Sequence, residues 1–416
     1  MSERIESRKN RSDRSSRASL PSLPSIDSLP STPLKILICA GEVSGDMHAA
    51  ALVKALREKI PLELRGFGGD ALRVEGAELL YHTNQTAVMG FIPVLLRARF
   101  FSGMLRRMKR EIETWRPDLL LTVDFPGMNL RLAAHARKHG VKTIHYVCPQ
   151  VWAWHRSRIP KIARILDHLV CLFPFEPALF DGTGLRATFG GHPLVDRVAE
   201  TRAEPPLELP WRGARHRVAL LPGSRAGEIQ RCLPKMLAAA RLLEDRLRKE
   251  RLGNVSFIVP SPTDAMRALA EKVAARSAAR PAQCEILRVN ARHVLLQANA
   301  AAVASGTATL EACLARCPTV LVYGVSAVTA WIARRVIKIP FIGLANIIAG
   351  REVMPELLQE NFNAPRLAGQ LHSYVASPAT CHEVLASYDE VAALLGHGNA
   401  AETAAAQIVE TLTKRN

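Results

Sequence analysis

No apolar run in this chain approaches the roughly 20 residues that cross a bilayer, so an integral membrane protein is not expected. The eight cysteines, at positions 39, 148, 171, 232, 284, 313, 317 and 381, include no CxxC pair, and Cys313 and Cys317 have no histidine cluster beside them. That scatter points to reduced, buried thiols in a cytosolic protein rather than to a disulfide frame or a zinc site. No other metal-ligand spacing stands out. Acidic residues are in deficit, 38 against 55 Lys plus Arg, for a net charge of +17. Residues 1–33 hold six basic and four acidic groups, which is +2, so +15 falls on the remainder. Such a surplus suits nucleic acid, an anionic membrane surface or phosphorylated substrates, and composition does not choose among them. A nucleic-acid binder would need a reader motif, and none is recognisable.

A length of 416 residues makes two domains the natural expectation, each large enough for its own core. Residues 1–33 alternate Ser, Arg and Pro without hydrophobic periodicity and read as a disordered tail. No apolar segment follows their basic residues, as a secretory signal would require, and their acids argue against a transit peptide. From Lys35 onward, apolar strands alternate with helical patterns: KILICA, a loop GEVSGD, a helix from about His48, then LELRGFGGD, DLLLTVDFPGMN, VKTIHYV and HLVCLF. The Pro-rich stretch Ala199–Arg212 reads as a linker. Beyond it the pattern resumes with RVALLPGS, VSFIVPS, CEILRV, AAAVAS and TVLVYGV. The expected fold is α/β, two Rossmann-like parallel sheets facing across a cleft, with domains at 34–204 and 205–416 and a C-terminal helix able to pack back on the first. Ligands of such sheets bind beyond the carboxyl ends of the strands.

Two turns invite an anion. In VALLPGSRAGEI the strand breaks at Pro222-Gly223, and Ser224 and Arg225 lead to a helix starting near Glu228 or Pro234. Free backbone N–H groups and the positive end of a helix dipole would meet a phosphate there, with the Arg225 guanidinium as a fork. In AAAVASGTATLEACL the strand ends at Ser305, Gly306 lets backbone approach a ligand, and Thr307 opens a helix carrying Glu311, whose carboxylate can accept from ribose hydroxyls. An ordinary βα turn and a plain helix cap compete with each reading alone. Together they favour a nucleotide diphosphate, held by basic groups without a cation.

In the first half, Asp124 closes the strand LLLTV and is either a general base facing the cleft or an N-cap. Glu42, Asp46 and His48, on the first loop of the same edge, could position a sugar hydroxyl or share the base role. Residues 88–110 interleave Phe91, Ile92, Leu95, Phe100 and Phe101 with Arg97, Arg99, Arg106, Arg107, Lys109 and Arg110. This reads either as an amphipathic segment at an anionic lipid surface or as a core helix with a basic face, and WIARRVIKIPF at 331–341 repeats the theme. Trp152 and Trp154 either wall the cleft or fill the core, and His192, after two glycines, could approach a phosphate.

AGEVSGDMHA, GFGGDALRVEGAELL, AVMGFIPVL, PDLLLTVDFPGMN, YVCPQVWAWHRSR, GHPLVD, LLPGSRAGEI, SGTATLEACL and LANIIAGREVMPELLQ together resemble the lipid-A-disaccharide synthase family, in that family's order. The resemblance runs from Lys35 to the C-terminus. It implies an inverting, metal-independent GT-B glycosyltransferase without a cofactor, peripheral on the cytoplasmic face of the inner membrane. Its expected partners are UDP-2,3-diacylglucosamine and 2,3-diacylglucosamine 1-phosphate (lipid X), with an anionic membrane surface, no nucleic acid, and a homodimer left open. Carried over by motif, Asp124 would be the base, Arg225 would neutralise the departing UDP, and Gly223, Ser224, Ser305, Gly306, Thr307 and Glu311 would hold the donor. Asn346, Arg351 and Glu352 of NIIAGRE would line the cleft, and Met89-Gly90 with the basic stretch would dock on the membrane. The alternatives are another UDP-GlcNAc-using enzyme of the same fold and a non-catalytic nucleotide-sugar sensor at a membrane.

Overall fold

The structure, a computed structural model, describes residues 32–86, 98–324 and 339–413. The first unit contains β1 (Leu34–Ala40), β2 (Leu62–Gly68), β3 (Glu78–His82), β4 (Leu119–Val123), β5 (Lys142–Tyr146), β6 (His168–Cys171) and β7 (Arg186–Phe189). The second contains β8 (His216–Leu221), β9 (Val255–Ser261), β10 (Cys284–Arg288), β11 (Ala300–Ala304), β12 (Thr319–Tyr323) and β13 (Glu356–Leu358). Every neighbouring pair is parallel, in the orders β3-β2-β1-β4-β5-β6-β7 and β10-β9-β8-β11-β12-β13. The two sheets are thus wound alike. Strand order reverses between β1 and β4 in one and between β8 and β11 in the other, and those are the points where an open sheet leaves a crevice.

The central strands β4 and β11 are buried at every residue, which is why LLLTV and AAAVA carry no polar alternation: helices cover both faces. The expected two-sheet α/β fold is therefore what forms. The short edge strands β3 and β13 were not anticipated, because each is brief and only partly buried, so its hydrophobic signal is weak.

Helix boundaries differ from expectation in two places. The stretch read as a loop, GEVSGD, is mostly the first turn of a helix over Val43–Arg57. Within that turn Gly45 is buried against the end of β4. The helix after β8 starts at Ala226, earlier than expected, and runs to Lys249 with Pro234 inside it. The linker stretch begins inside the helix Pro193–Ala203. All eight cysteines are free and only Cys381 is not buried.

The helix Ala400–Thr413 returns to the first unit. Ala404, Ala405 and Ile408 are buried among Ile38, Leu52 and Tyr146, and Gln407 accepts from Thr188 Oγ1 at 2.6 Å and donates to the Phe189 carbonyl at 2.9 Å. Thr411 Oγ1 meets His168 Nδ1 at 2.8 Å. The last helix thereby completes the first core. Ile408→Ala should lower the stability by about 2–5 kcal/mol, read as a fall in urea midpoint at unchanged slope.

Candidate active site

The first switch point is tied by Asn129, which is fully buried on the helix Pro126–Lys138. Its Nδ2 donates to the carbonyls of Cys39 at 3.2 Å, Val123 at 3.3 Å and Asp124 at 2.7 Å, joining the ends of β1 and β4. Asp124 and Phe125 both take φ of 48°, left-handed values that non-glycine residues adopt at a cost of order 1–3 kcal/mol each. Gly41 allows this turn, since a Cβ there would fall 2.4 Å from Phe125 Cγ. The Asp124 carboxyl is raised above the ordinary aspartate value, chiefly by burial, with the Phe125 backbone N–H opposing. Glu42 sits at the rim, raised first by desolvation and then by Asp124, while Arg225 of the second unit pulls it down.

Across the cleft, Gly223 (φ 106°) bends the turn after β8 so that Glu228 can reach back, and a Cβ on Gly223 would lie 2.3 Å from Glu228 Oε2. The same oxygen accepts from the N–H groups of Ser224 at 3.1 Å and Arg225 at 3.2 Å. These donors, expected to be free for an anion, are already taken. Arg225 itself is exposed, with Nη1 3.3 Å from Glu228 Oε1. The second turn is the open one. Gly306 (φ 151°) has nothing within 4 Å of where a Cβ would stand, and no side chain caps the helix Thr307–Leu314. The N-terminus of Thr307–Leu314 is therefore the turn that no capping side chain fills, and Arg225 lines the same cleft.

Gly223, Ser224, Arg225, Ser305, Gly306, Thr307 and Glu311 line one cleft of about 1490 Å³, walled on the first unit's side by Gln150, Trp152, Ala153, Trp154 and His155. That exceeds the roughly 300–1,000 Å³ of ordinary small-ligand pockets. Glu311 is held by Arg292 at 3.2 Å, and its carboxyl is raised by burial against the pull of Arg292 and Arg197. Tyr323, Ile339, Ile342, Leu344 and Ile347 add apolar wall, a contribution the sequence did not reveal. Nor did it reveal Glu176, which is 1% exposed and anchors Trp152 by accepting its Nε1–H at 3.0 Å. Burial pushes the Glu176 carboxyl up to about 7, with N–H donors opposing.

Several expected site residues do other work. Asp46 is buried and accepts from the N–H groups of Gly69 at 2.6 Å, Ala71 at 3.0 Å and Leu72 at 3.3 Å, so it caps the helix Asp70–Val74 rather than facing substrate. His48 packs edge-on to Tyr146, and burial, then Arg197, lower it to about 4; it is neutral at pH 7 and a weak base. His192 accepts from Leu194 N at 3.1 Å as an N-cap. Asn346 is fully buried, bonded to Val353 N, Met354 N, Met354 O and Glu356 Oε1, which uses both ends of its amide internally. Arg351 turns to Ser387 and Glu390, and exposed Glu352 does not line the cleft. From that loop it is Leu344 and Ile347 that reach the cleft.

Of the expected membrane-facing residues, Phe91, Ile92, Leu95 and Arg97 lie outside the described residues, as does most of 331–341. Phe100 and Phe101 are half-buried: Phe100 meets Tyr81 at 6.1 Å between centroids and Phe101 meets Phe125 at 6.4 Å. They pack beside Asp124's turn instead of standing free for lipid. Arg99, Arg106, Arg107 and Arg110 are exposed on the helix Ala98–Trp115, and Arg107 pairs with Glu111 at 3.0 Å.

The family described as lipid-A-disaccharide synthetase matches residues 36–409. The lipid-A-disaccharide synthase of Geobacter metallireducens is 37% identical over 387 residues, 92% of this chain and 98% of that one. Among solved structures, the UDP-GlcNAc 2-epimerase from Neisseria meningitidis bound to UDP-GlcNAc has a TM-score of 0.59 at 11% identity, over 92% of this chain and 100% of that one. The calicheamicin glycosyltransferase CalG4 has a TM-score of 0.58 at 16% identity, over 91% and 98%. These two share the fold. Asp46→Ala should cost about 1–3 kcal/mol of stability by leaving buried N–H groups unpaired, while the per-molecule activity of the folded fraction stays near wild type; a loss of turnover at full stability would return Asp46 to the chemistry.

Proposed function

Since the chain belongs to the lipid-A-disaccharide synthase family, we propose that its two switch points divide the work of a glycosyl transfer, acceptor at Asp124 and leaving group at Arg225. The chain is a glycosyltransferase that joins UDP-2,3-diacylglucosamine to 2,3-diacylglucosamine 1-phosphate, giving the β-1,6 disaccharide and UDP. In the proposed division, the Asp124 carboxylate takes the proton of the acceptor 6-hydroxyl as its oxygen attacks the anomeric carbon from the face opposite UDP. The C–O bond to the diphosphate breaks on the other side, so configuration inverts. Charge building on the UDP oxygens is met by the Arg225 guanidinium and the open N-terminus at Thr307, which act more strongly out of water. Glu311, fixed by Arg292, accepts from the ribose hydroxyls. These fixed positive groups make a divalent ion unnecessary in this reading.

The observation that carries the reading is the single cleft in which Arg225, Ser305, Gly306, Thr307 and Glu311 of the second unit face Gln150 and residues 152–155 of the first. No helix among the described residues is long and apolar enough to cross a membrane. We place the protein on the cytoplasmic face of the inner membrane through the basic face of the Ala98–Trp115 helix, because both substrates are acylated and carry phosphate. Arg106→Glu with Arg110→Glu should weaken sedimentation with anionic vesicles, and salt near 1 M should abolish the difference from wild type.

The deciding experiment incubates the protein with both substrates in detergent and chelator, following UDP and disaccharide. Disaccharide formation supports the reading; UDP release alone would mean hydrolysis or a different acceptor. Asp124→Asn should keep UDP-sugar binding and lose roughly 100-fold or more in kcat. Rate should fall on the acid side as Asp124 takes up a proton, at a pH above the ordinary aspartate range. Arg225→Ala should weaken UDP binding and slow transfer together, and an unchanged affinity for UDP would contradict its assignment.

A further inference from the structure

At the end of the Pro126–Lys138 helix remote from the cleft, the sequence HARKH places His135 and His139 four residues apart, on one face. Their rings stand 4.4 Å apart between centroids. Glu113 comes from the adjoining Ala98–Trp115 helix, and its Oε1 lies 2.9 Å from His135 Nε2. One potential ligand atom from each of the three lies within 4.8 Å of the others. We propose that Glu113, His135 and His139 bind one divalent transition-metal ion of the zinc class, which staples these two helices together.

The donor set is chemically suited: two imidazoles and a carboxylate fill three positions of a tetrahedral zinc ion, with water in the fourth. Bonds of about 2.0–2.2 Å set ligand atoms about 3.4 Å apart, so side-chain rotations of about an ångström complete the shell. His139 Nδ1 lies 3.0 Å from the His135 carbonyl oxygen; donating to it leaves Nε2 as the free lone pair, an arrangement typical of metal-bound histidines. Lys109 opposes a cation, which the Glu113 carboxylate offsets. The other trio of nearby donors, Cys148, Cys171 and Glu176, is less suited, because Glu176 already accepts three N–H groups, from Trp152, Leu172 and Phe173.

A 13-residue helix spans about 20 Å, so the ion would stand well clear of Asp124 and the transfer chemistry. The test uses the full chain, stripped with chelator and titrated with Zn²⁺ or Co²⁺. The expected result is one saturable equivalent, visible Co²⁺ bands of tetrahedral intensity, and a Tm that climbs with Zn²⁺. His135→Ala with His139→Ala should abolish all three, and Glu113→Gln alone should weaken binding, while disaccharide formation is unchanged in every variant. Binding that persists in the double-histidine variant, octahedral Co²⁺ spectra, or no saturable equivalent in the wild type would overturn the proposal.

Discussion

The geometry of the cleft depends on one buried amide. Asn129 Nδ2 gathers the terminal carbonyls of β1 and β4, so the two strands where the first sheet reverses order end in register, and the next two residues are forced into the left-handed region. Asp124 owes its direction to that bend. Asn129 Oδ1 is buried without a partner, an unfavourable feature retained where a helix, two strands and a carboxylate must meet. In the second sheet the same task falls to a carboxylate. Glu228 collects the N–H groups after β8, and Gly223 is the residue that leaves room for it.

The two turns are consequently unlike in electrostatic character. The β8 turn has its backbone donors neutralised from within and offers an anion only the exposed guanidinium of Arg225. The β11 turn keeps its backbone donors open at Gly306 and Thr307. Around them, burial holds His48 and His192 uncharged at neutral pH and raises Asp124, Glu42 and Glu311. Desolvation thus acts on both kinds of group in the direction that reduces charge, and the arginines remain the dominant fixed charges in the cleft.

Much of this was legible because it is local in sequence. A run of buried strand residues ending in Asp, or in Ser-Gly-Thr before a helical pattern, announces where a strand stops and what stands at its end, which is why Asp124 follows the end of β4 and why Arg225 and Glu311 line the cleft. The misreadings share the opposite property. Asp46 finds its partners at 69 to 72, Phe101 finds Phe125, and Arg351 finds a helix near 390. Their side-chain types suggested chemistry, but distant backbone and carboxylate partners had claimed them. Asn346 is a nearer case, satisfied within ten residues by a turn whose shape no periodicity conveys. HARKH likewise gains its third donor only when Glu113 is folded against it.

The return of the Ala400–Thr413 helix to the first sheet bears on how the molecule is made. Ile38, Leu52 and Tyr146 emerge from the ribosome before the second unit, yet the surface that covers them is translated after it. The first unit must therefore wait with part of its apolar face open, exposed to chaperones and to other chains, while the second folds from contiguous sequence. Completion of the first unit's core thus waits on synthesis of the second, and a translation product interrupted before Ala400 leaves that sheet unsealed.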